Sequence, residues 1–204
     1  ERGYPDDDAT RSLYLSINRD LWARLDRGEV TQSFLVVERF AAFTRAMGRD
    51  DDPVAFNRDY LDRLAQGAFL LPGAEALCRT LAPHCTLAII TNGVARAQRG
   101  RFARSPLADV IPYLFISEEA GAAKPSPAFF EPVLRQLGVT RRERVLVVGD
   151  NLSTDIRGAL DCGLPAAWYN PRGLPNTTPW TPQWTFSDYT QLEELVLAQP
   201  SPLL

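Results

Sequence analysis

The run Val145-Leu146-Val147-Val148-Gly149-Asp150-Asn151-Leu152-Ser153-Thr154-Asp155 decides the fold. Four consecutive aliphatic residues suit a strand buried on both faces, as in a parallel sheet, rather than the alternating pattern of a half-exposed one. Gly149 allows close backbone approach at the end of that strand. Asp150 is delivered at its tip, and Asp155 follows at the start of the next helical stretch. Outward from this run the pattern repeats, with candidate strands at residues 85–90, 113–116 and 166–169. Helical stretches are read at residues 74–81, 95–104, 128–137, 154–162 and 189–197. Apolar strands alternating with helices predict an α/β fold, a Rossmann-like parallel sheet with helices on both faces. Residues 171–182, rich in Pro and Thr, read as an irregular surface loop, and Trp180 and Trp184 beside it as packing residues rather than a base-stacking platform.

Residues 8–66 are different in character. Leu13, Ile17, Leu21 and Leu25 recur every four positions, Phe34, Val37, Phe40, Ala41 and Thr44 repeat helical spacing, and a third stretch follows Asp51, Asp52 and Pro53. Three amphipathic helices predict a small bundle, closed off by Gly67 and the Leu71-Pro72-Gly73 break. The expected organisation is an all-helical cap over residues 1–70 and an α/β core over residues 71–204.

Composition narrows the partners. The 204 residues are 45% hydrophobic and 23% charged, enough apolar material for a sizeable core. The net charge of −3 offers no general attraction for a nucleic acid polymer or an anionic membrane. No apolar run has the length of a membrane span. Cys78, Cys85 and Cys162 are odd in number and show no Cys-x-x-Cys spacing, which points to a reducing, cytoplasmic setting. A monomer or homodimer acting on a small molecule is expected.

In an open parallel sheet, ligands bind beyond the carboxyl ends of the strands. Three strand ends carry chemistry. The first reads Thr91-Asn92-Gly93: a hydroxyl and backbone N–H groups at a helix start can hold phosphate, or can simply be an N-cap turn. The second reads through Ser117-Glu118-Glu119 to Lys124-Pro125. Lys124 is the only lysine, against 21 arginines, and its compact ammonium fits a point charge aimed at a phosphoryl group or carboxylate; the alternative is a solvated surface lysine. The third supplies Asp150 and Asp155, oxygen ligands suited to a hard cation such as Mg²⁺, although Asp155 can also complement a helix N-terminus. His84, beside Pro83, reads as a surface turn, and Arg96, Arg99, Arg101 and Arg104 as a solvated helix face.

Taken in this order, the Thr-Asn-Gly, Ser-Glu-Glu-to-Lys-Pro and Gly-Asp-Asn-to-Asp segments resemble the haloacid dehalogenase superfamily of phosphotransferases, most closely its pyrimidine and nucleoside 5′-monophosphatase branch. From Thr91 to Lys124 is 33 residues, and from Lys124 to Asp150 is 26. The resemblance implies that Thr91, with Asn92 and Gly93 N–H groups, binds the transferred phosphoryl group. It implies that Lys124 neutralises phosphoryl and nucleophile charge, and that Asp150 and Asp155 hold Mg²⁺. It also implies that the cap covers the site, so that Tyr14, Asn18 and Trp22, at i, i+4 and i+8 on one helix face, would contact a nucleobase or sugar; packing within the bundle is the other reading.

The superfamily's first motif is a buried strand ending in Asp-x-Asp, whose first carboxylate attacks phosphorus. Asp6-Asp7-Asp8-Ala9-Thr10 matches as text, but Glu1 to Pro5 hold charges, a Gly and a Pro and cannot form a buried strand. The acidic run is instead expected to complement the N-terminus of the first helix. The nucleophile strand is expected upstream of Glu1, leaving a gap between the strand ending at Thr91 and the strand ending at Asp150. Two functions follow: a Mg²⁺-dependent phosphomonoesterase for a small phosphorylated metabolite, or a non-catalytic phosphate-binding or interaction protein, including a truncated inactive fragment, that keeps the phosphate cradle.

Overall fold

Asp7 begins the first helix by accepting a hydrogen bond from Thr10 N at 2.8 Å, the N-cap arrangement that satisfies an otherwise orphaned donor. Helix α1 (Asp8–Asp26) is followed by α2 (Gln32–Ala46) and α3 (Pro53–Gln66). Thr31 Oγ1 accepts from Phe34 N at 3.2 Å to cap α2, and Asp52 Oδ1 accepts from Val54 N at 2.9 Å at the start of α3. The computed structural model describes residues 2–198, in two compact units, Glu1–Leu64 and Ala65–Leu204. Residues 2–7 form no strand, and Asp6 Oδ1 accepts from Arg11 Nη2 at 2.6 Å. The acidic run therefore serves helix α1.

The first unit is held by aromatic packing. Phe40 is 1% exposed, stacks on Phe56 at 4.4 Å between centroids and on Tyr14 at 5.7 Å. Arg39 is buried among these rings at 4% exposure. Its guanidinium lies 4.8 Å from the Tyr60 centroid and 5.0 Å from that of Phe40, and it donates to Asn57 Oδ1 at 2.7 Å and, at the limit of contact, to Asn18 Oδ1 at 3.5 Å. No carboxylate pairs with it among the described residues. The preceding segment lies along the bundle: Tyr4 donates to Asp51 Oδ2 at 2.6 Å, and Arg2 pairs with Asp59.

The unit boundary falls within the last turn of α3, earlier than the Leu71-Pro72-Gly73 break. The reason is local packing: Arg104 Nη1 donates to Ala65 O at 3.2 Å, and a Cβ on Gly100 would come within 2.5 Å of Ala65 Cβ. Ala65 thus belongs with the second unit.

That unit alternates as the sequence predicts. After α4 (Ala74–Leu81) come β1 (Ala88–Thr91), α5 (Ala95–Ala103), β2 (Tyr113–Ile116), the short α6 (Ser117–Ala120), α7 (Pro127–Gln136) and β3 (Val147–Gly149). A π turn over Leu152–Ile156 leads into α8 (Arg157–Asp161), then β4 (Ala166–Tyr169), β5 (Trp184–Phe186) and α9 (Tyr189–Leu197). The stretch read as one helix over 154–162 is this π turn plus α8. Strand β5 is an addition to the sequence reading: Trp184-Thr185-Phe186 is short and exposed over two of its three residues, so its apolar signal is weak.

All strand pairs are parallel, but they form two sheets. β1 pairs with β2 through Ala88↔Tyr113 to Thr91↔Ile116. β3 pairs with β4, and β4 with β5. Among the described residues no ladder joins β1 to β3. Both faces of the three-stranded sheet are covered, which successive residues of β4 make plain, since neighbouring side chains point to opposite faces. Ala166 packs with Phe129, Phe130, Val133, Ile156 and Ala159; Ala167 packs with Leu77, Leu81, Phe186 and Leu192. Burying each large side chain of these clusters contributes about 1.5–3 kcal/mol. Against this, Val148 in the middle of β3 is 41% exposed.

Candidate active site

Thr91 closes β1, and its hydroxyl is ordered by two donors: Gly93 N at 3.0 Å and Gln98 Nε2 at 2.7 Å. A hydroxyl oxygen has two acceptor sites and one proton, so with both acceptors engaged Thr91 is left to donate. Gln98 crosses beside Gly93, where an added Cβ would fall 2.2 Å from Gln98 Nε2 and displace that side chain from Thr91. The Gly93 N–H is thus spent on Thr91, and the first N–H of α5, on Ala95, is taken by Glu118 Oε2 at 2.7 Å. The helix end is therefore partly neutralised from within the protein.

The side chain of Asn92 spans to the second motif. Its Nδ2 donates to Lys124 O and its Oδ1 accepts from Lys124 N, both at 2.9 Å. Lys124 in turn extends its ammonium to Ile90 O at 3.0 Å and to Asp155 Oδ1 at 2.6 Å. An ammonium has three N–H donors, so one remains for an anionic ligand. The Lys124 and Asp155 side chains are only 10% and 9% exposed.

The third motif is shaped by Asn151. Its Oδ1 accepts from Ser153 N at 2.8 Å and Thr154 N at 3.2 Å, and its backbone N–H donates to Asp155 Oδ2 at 3.2 Å. Asp155 also lies against Gly149, where a Cβ would come within 2.3 Å of Asp155 Cβ. Asp150, at the tip of β3, carries an exposed side chain, while its carbonyl accepts from Trp168 Nε1 at 3.1 Å.

Asn92, Lys124 and Asp155 are thus brought together by hydrogen bonds at the strand ends, with Thr91 preceding Asn92 and Asp150 directly following β3. The donor set meets the needs of a hard cation: Asp150 offers an open carboxylate, and each oxygen of Asp155 has one partner and a further lone pair. Two protein carboxylates suffice for an ion that keeps waters and substrate oxygens. No group of three or more His, Cys, Asp and Glu is assembled among the described residues.

The residues proposed for substrate contact in the first unit sit differently. Tyr14 packs on Phe40, Phe43 and Tyr60, and burial together with Tyr60 pushes its phenol well above the ordinary range. Asn18 faces Arg39, and Trp22 is half-buried. Among the arginines read as a solvated face, Arg99 makes a two-pronged pair with Glu119, its Nε 2.9 Å from Oε1, and that pair holds the Glu119 carboxyl below the usual range. Gln98, Asn151 and the Ile90 carbonyl were not singled out from sequence. Asn151 had a signal, an Asn two residues before Ser153 at a helix start; Gln98 and the carbonyl had none.

The sequence profile of the haloacid dehalogenase-like hydrolases matches residues 4–163. The chain is 33% identical to the pyrimidine 5′-nucleotidase YjjG of Escherichia coli, over 90% of this chain and 80% of that protein. It is 32% identical to the pyrimidine 5′-nucleotidase PynA of Streptococcus pneumoniae, over 94% of this chain and 81% of that one. The crystal structure of the HAD-hydrolase YfnB from Bacillus subtilis, bound to magnesium, superposes with a TM-score of 0.90 at 29% identity, covering 96% of this chain and 86% of that one. The L-2-haloacid dehalogenase of Xanthobacter autotrophicus shares the fold, with a TM-score of 0.75 at 21% identity, covering 98% of this chain and 90% of that one. On its profile, its relatives and the strand-end residues that carry the motifs, this chain belongs to the haloacid dehalogenase-like hydrolase family.

Proposed function

We propose that the protein is a Mg²⁺-dependent phosphomonoesterase acting on a nucleoside 5′-monophosphate, with pyrimidine nucleotides the leading substrates. The observation that carries this reading is that the Lys124 ammonium is tied to Asp155 and to the carbonyl of Ile90, the residue before Thr91, whose hydroxyl is left to donate. Those are donors for a phosphoryl group, and two nucleotidase relatives share the chain over most of its length.

In this reading Thr91 and Lys124 bind phosphoryl oxygens, and Asn92 and Gly93 shape the turn that presents them. Asp150 and Asp155 would hold the metal, which supplies charge neutralisation at the phosphoryl oxygens. Asn18 and Trp22, half-buried, are the cap positions proposed to contribute to specificity, while Tyr14 takes the packing role among Phe40, Phe43 and Tyr60. A carboxylate oxygen would attack phosphorus as the ester P–O bond breaks and the leaving 5′-oxygen takes a proton from an acid or water beside it; water would then cleave the aspartyl-phosphate to inorganic phosphate and the free carboxylate. That carboxylate would stand on a strand laid between β1 and β3, where both edges lack a strand partner among the described residues and Val148 is exposed. We place the enzyme in the cytoplasm as a monomer or homodimer, on the odd number of cysteines in the sequence and a small-molecule substrate.

The test is phosphate release with Mg²⁺ across a panel of pyrimidine and purine nucleoside monophosphates and sugar phosphates. Release favouring the pyrimidine nucleotides is expected. No release from any member rejects the hydrolase reading and leaves phosphate binding without turnover.

A further inference from the structure

We infer that Asn92 is a positioning residue for Lys124, acting through the main chain of the lysine rather than through the substrate. This deepens the phosphatase reading, because it concerns the residue that would bind the phosphoryl group. The argument rests on how one side chain engages one residue. Asn92 Nδ2 donates to Lys124 O and Asn92 Oδ1 accepts from Lys124 N, each at 2.9 Å. A backbone N–H can only donate and a backbone C=O only accept, so the amide has one orientation that satisfies both.

The consequence is a lysine held at two points by one short stretch of chain. Its root is held by Asn92, and its tip by Ile90 O, two residues earlier on the same strand segment. A free lysine side chain samples many rotamers and costs up to about 2 kcal/mol of entropy to order. Here the backbone origin of that side chain is tied to the end of β1, and the ammonium is brought to both Ile90 O and Asp155. Asn92 therefore sets where the third N–H of the ammonium is available. Its amide has no partner role that a smaller or apolar residue could reproduce, and the Thr91 hydroxyl next to it is oriented separately by Gly93 and Gln98.

The chain contains one lysine, so amine chemistry reports on this residue alone, apart from the terminal amine. The test is the rate of Lys124 acylation by an N-hydroxysuccinimide ester at fixed pH, followed by mass spectrometry of the peptide that carries it. It is applied to the wild-type protein, Asn92→Ala, Asn92→Asp and the core variant Leu134→Ala. Loss of both hydrogen bonds in Asn92→Ala is expected to raise the rate about tenfold. Asn92→Asp keeps the acceptor for Lys124 N and loses the donor to Lys124 O, so its rate should fall between. Leu134→Ala loosens the cluster against which Ile90 and Ala122 pack while leaving both Asn92 hydrogen bonds in place, and should keep the wild-type rate. An unchanged rate in Asn92→Ala overturns the inference, as does an equal rise in Leu134→Ala. Neither readout needs turnover, so these outcomes are separate from the fate of the phosphatase reading. If phosphate release is found, Asn92→Ala should lower kcat on the order of 100-fold, more than it raises KM; a change in KM alone also overturns the inference.

Discussion

Lys124 Nζ lies 2.6 Å from Asp155 Oδ1, and the two side chains are 10% and 9% exposed. The contact joins a residue that follows β2 to one that follows β3, although the strands belong to different sheets. A buried ion pair of this kind stabilises little on balance, since the desolvation of both charges offsets their attraction. Breaking it is another matter, because the remaining charge stays buried.

Lys124→Met should therefore destabilise the fold by about 3–5 kcal/mol, in addition to abolishing turnover. Urea denaturation measures the loss. The double variant Lys124→Met/Asp155→Asn should lose clearly less than the sum of the two single variants. Additive losses would mean that the pair is not coupled.

Gly149→Ala should reach Asp155 without touching it chemically. The new Cβ would lie 2.3 Å from Asp155 Cβ and 2.4 Å from Oδ2, so the strand or the buried carboxylate must shift. A loss of about 1–3 kcal/mol is expected, together with a shift of the Asp155 carboxyl signal in carbon-detected NMR. A variant as stable as wild type with an unmoved signal would show that the close approach is not needed.

Arg39 gives a prediction confined to the first unit. Its cation lies over two rings and on two amide oxygens, with no carboxylate partner among the described residues. Arg39→Ala should cost about 2–4 kcal/mol through lost packing of the stem and guanidinium. Arg39→Lys should recover little of it, because an ammonium cannot stack as a plane. Thermal denaturation of the three proteins, with equal midpoints for Arg39→Lys and wild type as the contrary result, decides the point.

The acid and alkaline limits of the first unit follow from its carboxylates and Tyr4. The Thr10 N–H holds the Asp7 carboxyl below its usual range, Tyr4 and Arg49 do the same for Asp51, and Arg2 for Asp59. A depressed carboxyl stabilises the fold above its unfolded value, about 3.9, and that contribution disappears as pH falls through the lower folded value. Tyr4 is pushed up to about 12 by burial and by Asp51. Its contribution is full below the ordinary phenol value of about 10 and is lost as pH rises towards the folded one. Thermal midpoints of wild type and Asp51→Asn should differ at neutral pH and converge as pH falls below the ordinary carboxyl range; a constant difference across that range would contradict the assignment.

Much of the architecture was legible in order along the chain. Tyr113–Ile116 and Ala166–Tyr169 are strands at the positions their apolar runs mark, and α4 and α9 lie where their periodicity places them. Trp184–Phe186 was not legible, because a three-residue strand with two exposed positions carries almost no pattern. Among site residues, Thr91, Lys124, Asp150 and Asp155 stood out by residue type at strand ends. Gln98 did not, since it lies within α5 and becomes relevant only because one helical turn returns it to the Thr91 hydroxyl.

The sequence by itself determined the alternation of strands and helices, the helical character of residues 8–66, the family resemblance and the identity of the charged residues at the strand ends. Those properties depend on periodicity and on neighbours close along the chain. Only the tertiary structure decided that the parallel strands form two sheets, that Asn92 grips the main chain of Lys124, and that Lys124 reaches Ile90 O and Asp155. Each of these contacts joins residues 31 to 34 positions apart, and the hydrogen bonds that select one partner over another exist only once the strand ends have been brought together.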